Sequence, residues 1–82
     1  MENEIKFPVY RKYLNEKHYF RIADWGHMEE LSKLGERWYL HELEAKILPD
    51  RNLIYDLVCN YEHFAAAVTE EEYQTVKSTI TT

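Results

Sequence analysis

The single cysteine, Cys59, is the feature that most constrains how this chain of 82 residues can fold. One cysteine cannot form an internal disulfide, so a domain this small has to be held together by packing alone. Large side chains are available for that purpose, because 15% of the residues are aromatic and seven of these are tyrosines. Each buried ring removes about 150–250 Å² from water. We therefore expect more of these rings to lie in the core than on a surface that contacts a partner.

Length and composition predict one small globular domain spanning residues 1–82. Apolar residues make up 45% of the chain and charged residues 30%, as in ordinary folded proteins. No apolar run approaches the ~20 residues of a membrane-spanning helix. The first residues include Glu2 and Glu4 and lack the apolar region of a signal peptide. We therefore expect a cytoplasmic protein that does not contact a membrane.

The charge is unevenly distributed along the chain. The formal net charge is −5, yet residues 1–23 carry five Lys and Arg against three acidic residues, which leaves the acids concentrated after residue 23. An acidic protein is a poor partner for phosphate backbones, which are bound through cations. The charge therefore disfavours nucleic acid as the ligand.

Two runs rich in aromatic and β-branched residues, 7–14 and 18–23, predict a β-hairpin at the N-terminus. The three polar residues between them provide the turn, although it lacks the glycine that such turns favour. A short helix is predicted next, because Asp24 can cap it and Met28, Leu31 and Leu34 recur at three-residue spacing. Gly35 would then be its C-terminal cap.

Residues 37–48 fit two patterns. As a strand, they alternate, with Tyr39, His41 and Leu43 on one face; as a helix, Leu40, Leu43 and Ile47 form one stripe. We interpret the segment as a strand, because a hairpin needs a third strand for stability, and the helical alternative stays open.

The remaining segments predict a helix after Asp50, a strand within residues 63–68, and a C-terminal helix. Thr69 and Glu72 form a capping box at the start of that last helix. The predicted order is β-β-α-β-α-β-α. The fold class is therefore α+β, with a small, mostly antiparallel sheet and helices packed on one face.

Catalytic and metal-binding motifs are absent from the sequence, and no cofactor is expected. His41-Glu42 resembles the start of HExxH, but Ala45 occupies the position of the second histidine. Cys59 and His63 are four residues apart, yet a helix end is predicted between them, so we expect Cys59 to be buried and inert. Glu42 and Glu44 would share a strand face, which is typical of the solvated side of a strand. A small enzyme or metal site using Cys59, His41 or His63 is the weakest of three functional hypotheses.

The predicted hairpin carries the most distinctive cluster, in which tyrosines alternate with basic residues. Our leading hypothesis is a protein-interaction or regulatory module that binds a protein partner through this hairpin, and a second copy pairing along a sheet edge is one candidate partner. The alternative is single-stranded nucleic-acid binding, in which rings stack on bases and cations follow the backbone. The predicted binding residues are Tyr10, Arg11, Lys12, Tyr13, Tyr19 and Arg21.

Overall fold

Residues 5–80 are described by the computed structural model, and within them the chain forms five strands and two helices. All strand pairs are antiparallel, and the order across the sheet is β4-β3-β2-β1-β5. The fold is thus α+β with a small antiparallel sheet, as predicted. The elements are β1 (Val9–Tyr13), β2 (His18–Asp24), β3 (His27–Leu34), β4 (Arg37–Glu44), α1 (Leu48–Cys59), β5 (Ala65–Ala67) and α2 (Glu70–Lys77).

The N-terminal hairpin is confirmed, and its turn closes without glycine. Glu16 takes a left-handed backbone conformation with φ 63°. The side chain of Asn15 accepts a hydrogen bond from the Lys17 amide at 2.8 Å, and the Glu16 amide donates to the Tyr13 carbonyl at 2.9 Å. Local hydrogen bonds of this kind stabilise a turn in which glycine would otherwise be favoured at the left-handed position.

The helix predicted after Asp24 is wrong, because residues 27–34 form strand β3. Met28 and Leu31 are both buried, but they belong to clusters on opposite faces of the sheet, as residues three apart in a strand must. Gly35 does take the left-handed conformation, with φ 66°, but it does so in the tight turn between β3 and β4. Left-handed glycine is common both at helix ends and in hairpin turns, so the sequence signal could not distinguish them. The observed order is β-β-β-β-α-β-α.

Residues 37–44 form a strand, which decides between the two interpretations of that segment. β4 pairs with β3 over its whole length, from Arg37 opposite Leu34 to Glu44 opposite His27. Pro49 lies in the first turn of α1. Proline is favoured in the first turn of a helix, because a backbone N–H at that position would have no partner within the helix.

The two helices pack on opposite faces of the sheet, so the prediction that they share one face is wrong. α1 buries Ile54, Leu57 and Val58 in a cluster with Phe20 and Ile22. α2 buries Tyr73 in a second cluster with Tyr19 and Leu31 on the other face. Alternation along β2 supplies both clusters, because Tyr19 and Phe20 point to opposite sides. We refer below to the α1 face and the α2 face.

The predicted cap of the C-terminal helix is confirmed. The hydroxyl of Thr69 accepts a hydrogen bond from the Glu72 amide at 3.0 Å, and three glutamates occupy the first turn. Negative charge at a helix N-terminus interacts favourably with the helix dipole. Within residues 5–80, neither helix has the length and apolar character needed to cross a membrane.

The corrected assignment of β3 can be tested by truncating two of its leucines. Leu31 is 0% exposed and Leu34 is 72% exposed. We expect Leu31→Ala to lower the free energy of unfolding by about 2–5 kcal/mol, as core truncations do. Leu34→Ala should change it by less than about 0.5 kcal/mol, as most surface substitutions do. Urea denaturation of both variants measures the difference; equal losses would instead fit one apolar stripe on a helix.

Candidate functional site

The hairpin that carries the predicted binding residues lies inside the sheet. β1 is flanked by β2 and β5, and β2 by β1 and β3, so neither strand is an edge. The structure brings the six predicted residues together, as adjacent strands must. It also places a helix over each face of the hairpin, and this determines what their side chains contact.

The three tyrosines of this set pack against other rings of the chain. Tyr10 lies 5.2 Å from Tyr73, centroid to centroid, and Tyr19 meets Trp38 edge-on at 5.6 Å, both on the α2 face. Tyr13 packs edge-on against Phe20 at 4.9 Å on the α1 face. Tyr19 is buried and the other two are partly buried. Desolvation accordingly raises the pKa of Tyr13 and of Tyr19.

Arg11 caps the C-terminal end of α1. Its Nε donates to the Leu57 carbonyl at 2.8 Å, and its Nη2 donates to the Val58 carbonyl at 3.3 Å. The guanidinium also lies 3.8 Å from the centroid of the Tyr61 ring, and burial lowers its pKa. α1 has no basic residue of its own in its last turn. Arg11 of β1 instead donates hydrogen bonds to the carbonyls at this helix end and interacts favourably with the helix dipole.

The other two cations of the set also bind partners within the chain. Lys12 Nζ lies 2.9 Å from Glu16 and 3.2 Å from Glu72. Arg21 Nε donates to the hydroxyl of Tyr10 at 3.4 Å. All six predicted residues are therefore engaged in internal contacts, and the hairpin lacks the uncovered row of rings on which its docking role was based.

The capping role of Arg11 predicts a measurable contribution to stability. Arg11→Gln should lower the free energy of unfolding by about 1–3 kcal/mol, because hydrogen bonds from a charged donor and the contact with Tyr61 are both lost. Arg37→Gln is the matched control, because Arg37 is exposed at the start of β4. Denaturation curves that coincide for the two variants would contradict the capping role.

Glu29 is the centre of a polar network on the α2 face. Tyr73 is fully buried, and its hydroxyl donates to Glu29 at 2.7 Å, while Lys77 Nζ lies 3.1 Å from the same carboxylate. Burial alone would raise the pKa of Glu29, but these two groups and Arg21 hold it below the usual value. Burial together with the Glu29 carboxylate raises the pKa of Tyr73. The network joins α2 to the sheet.

This network makes the free energy of unfolding depend on pH. A carboxylate with a lowered pKa stabilises the folded state above its unfolded pKa, and the contribution is lost as pH falls through the folded pKa. We expect the free energy of unfolding to fall below about pH 4.5, and Glu29→Gln to make that fall shallower. The exposed Glu62→Gln serves as control. Urea midpoints measured from neutral pH to pH 3 test this expectation. Parallel plots of midpoint against pH for the natural sequence, Glu29→Gln and Glu62→Gln would contradict it.

β4 is the long outer strand of the sheet, and within residues 5–80 it pairs on one side only. The Ala45 amide donates to the Gly26 carbonyl at 2.7 Å, which fixes the alternation along the strand. Backbone groups of the odd-numbered residues therefore point toward β3, and those of the even-numbered residues point outward. We call this outward-facing side the open edge; its unpaired groups belong to Trp38, Leu40, Glu42 and Glu44. The opposite edge strand, β5, has only three residues.

The side chains of β4 leave the open edge accessible. Tyr39 is 42% exposed on the α1 face and Leu40 is 38% exposed on the α2 face. Proteins commonly protect long edge strands with proline, a bulge or an inward-pointing charge. β4 contains no proline, and its pairing with β3 is regular throughout. The charged residues of β4, Arg37, Glu42 and Glu44, lie toward its two ends, so the centre of this regular edge presents exposed apolar side chains on both faces.

A second group of exposed rings lies just beyond the C-terminal end of β4, where Trp25 and Tyr55 line a cavity with Ala45. Trp25 stacks on Tyr55 with centroids 6.3 Å apart, and Phe7 meets Trp25 edge-on at 5.4 Å. Trp25 and Tyr55 are both exposed. These rings already pack on one another, whereas the open edge presents unpaired backbone groups together with exposed side chains, so the open edge is the better-defined site.

The residues of the enzyme hypothesis lie on three separate elements. His41 is on β4, Cys59 ends α1, and His63 lies in the loop before β5. Cys59 is exposed, so the expectation that it is buried is wrong; the helix ends there and leaves the thiol at the surface. In the part of the chain that the structure describes, no group of three or more His, Cys, Asp or Glu residues is arranged to hold a metal ion. Glu42 and Glu44 do share one face of β4, where both are exposed.

Comparison with known proteins gives no match for this chain among protein-family models, curated proteins or solved structures.

Proposed function

We propose that this protein is a protein-interaction module that binds an extended peptide strand at the open edge of β4. The observation that carries the proposal is that β4, in the part of the chain that the structure describes, pairs on one side only along its eight residues. The proposed binding surface is therefore the open edge of the sheet and not the N-terminal hairpin.

Main-chain hydrogen bonds would supply the affinity for such a strand. The outward-pointing N–H and C=O groups of Trp38, Leu40, Glu42 and Glu44 form a ladder ready for a sixth strand. Peptides that add a strand to a sheet edge bind through such ladders. Because β4 is already held straight by β3, the protein loses little conformational freedom on binding.

Side chains on both faces of β4 would supply the selectivity. Tyr39 and Leu40 lie at the middle of the strand and point to opposite faces, so an added strand would meet an apolar group on each side. Tyrosine is enriched at protein interfaces because its apolar body and polar tip suit a partly wet contact. Glu42 and Glu44 add negative charge at one end of the strand, which favours a protein strand over a nucleic-acid backbone.

The test uses peptides selected on the immobilised protein from a random displayed library, at protein concentrations too low for self-association. Amide hydrogen exchange is then followed by NMR with and without a selected peptide. We expect exchange to slow at least about tenfold at Trp38, Leu40, Glu42 and Glu44. A tenfold slowing requires the bound peptide to stabilise the hydrogen-bonded state of each amide by only about 1.4 kcal/mol. The amides of Tyr39, His41 and Leu43 already bond to β3 and should change little.

Leu40→Lys should abolish peptide binding by placing a charge beside the bound strand, whereas Leu34→Lys should leave it intact. Both leucines are exposed, so neither variant buries a charge. Failure to select any peptide, protection at residues other than the even-numbered ones of β4, or equal binding by Leu40→Lys would each overturn the proposal.

A further inference from the structure

We infer that the strand received by the open edge is β4 of a second copy of this chain, running antiparallel. The inference rests on the proposed function of β4 and names the partner. It is carried by the arrangement of charged and apolar residues along β4 and its neighbour β3.

Symmetry fixes which residues of the two copies can meet. Two identical antiparallel strands in one continuous sheet are related by a two-fold axis perpendicular to the sheet, so each face continues as the same face across the junction. Directly opposite residues must then share a face, and they point their backbone groups the same way. The outward-pointing even-numbered residues of one β4 therefore bond to the even-numbered residues of the other.

The apolar centre of the strand selects the register. With Leu40 on the axis, the Leu40 side chains of the two copies lie opposite one another on the α2 face, each backed by its own Leu31. On the α1 face, Tyr39 then lies opposite His41 of the second copy. A shift that places His41 on the axis would instead oppose Leu40 to Glu42 and lose the apolar contact at the centre.

Charges on the α2 face favour the antiparallel orientation. Lys33 lies opposite Trp38 in the β3–β4 pair, with its ammonium 6.0 Å from the ring centroid, whereas Glu42 and Glu44 lie toward the other end of β4. In the register centred on Leu40, Trp38 lies opposite Glu42 of the second copy, which brings Lys33 toward that carboxylate. A parallel pair joined at the same two edges would need the second copy turned over, so the α2 face of one copy would continue as the α1 face of the other and Lys33 would not approach Glu42.

Pairing of this kind would give one continuous sheet of ten strands and would leave β5 as the outer strand at both ends. Since β5 has only three residues, it offers little for further pairing. The contact is isologous, so it closes at two copies and does not propagate.

Sedimentation velocity of the full chain over a wide range of concentration tests the inference. Reductant is present throughout because Cys59 is exposed. We expect a concentration-dependent monomer–dimer equilibrium for the natural sequence and for Leu34→Lys, and only monomer for Leu40→Lys. Lys33→Glu and Glu42→Lys should each weaken self-association about threefold to tenfold, since two cross-strand charge contacts are reversed.

An equimolar mixture of the Lys33→Glu and Glu42→Lys proteins should recover the lost affinity, because the mixed pair restores opposite charges at both symmetry-related contacts. Persistent monomer for the natural sequence, or a dimer that tolerates Leu40→Lys, would overturn the inference. So would a mixture no tighter than its components. If the protein stays monomeric while selected peptides still protect the even-numbered amides of β4, this inference fails and the proposed strand-binding function stands.

Discussion

The central strands of this sheet have to be apolar on both faces, because one helix covers each side of them. β2 meets the demand with Tyr19 toward α2 and with Phe20 and Ile22 toward α1. This two-sided burial helps to explain why a small domain without disulfides carries so many rings, because each face needs its own cluster and the α2 face buries Tyr19 and Tyr73. Because the two helices cover the central strands, β4 at the edge of the sheet is less covered than they are.

Cations in the middle of the sheet are used to hold its layers together. Arg11 binds the last carbonyls of α1, and Lys12 reaches the first turn of α2 at Glu72. Glu29, with Tyr73 and Lys77, fastens the other end of that helix. A mixture of tyrosine and basic residues, which in sequence resembles a ligand-binding surface, serves here as the connection between the sheet and two helices on opposite faces.

The parts of the fold that could be predicted from sequence are those whose signals are local. The capping box at Thr69 and the polar break between the first two strands each depend on residues within a few positions of one another. The sequence does not distinguish β3 from a helix, because Met28, Leu31 and Leu34 recur at three-residue spacing, as they would along one face of a helix. That Leu34 is exposed is seen only in the folded sheet. The strand character of 37–44 could be predicted, but its position at the edge could not, since strand order is set by contacts between distant residues.

β5 pairs with β1, which lies more than fifty residues earlier in the chain. Until residues 65–67 have been made, the outer side of β1 has no strand to pair with, so a sheet formed by β1 to β4 alone would expose an edge at both ends. Three alanines cover one of those two edges.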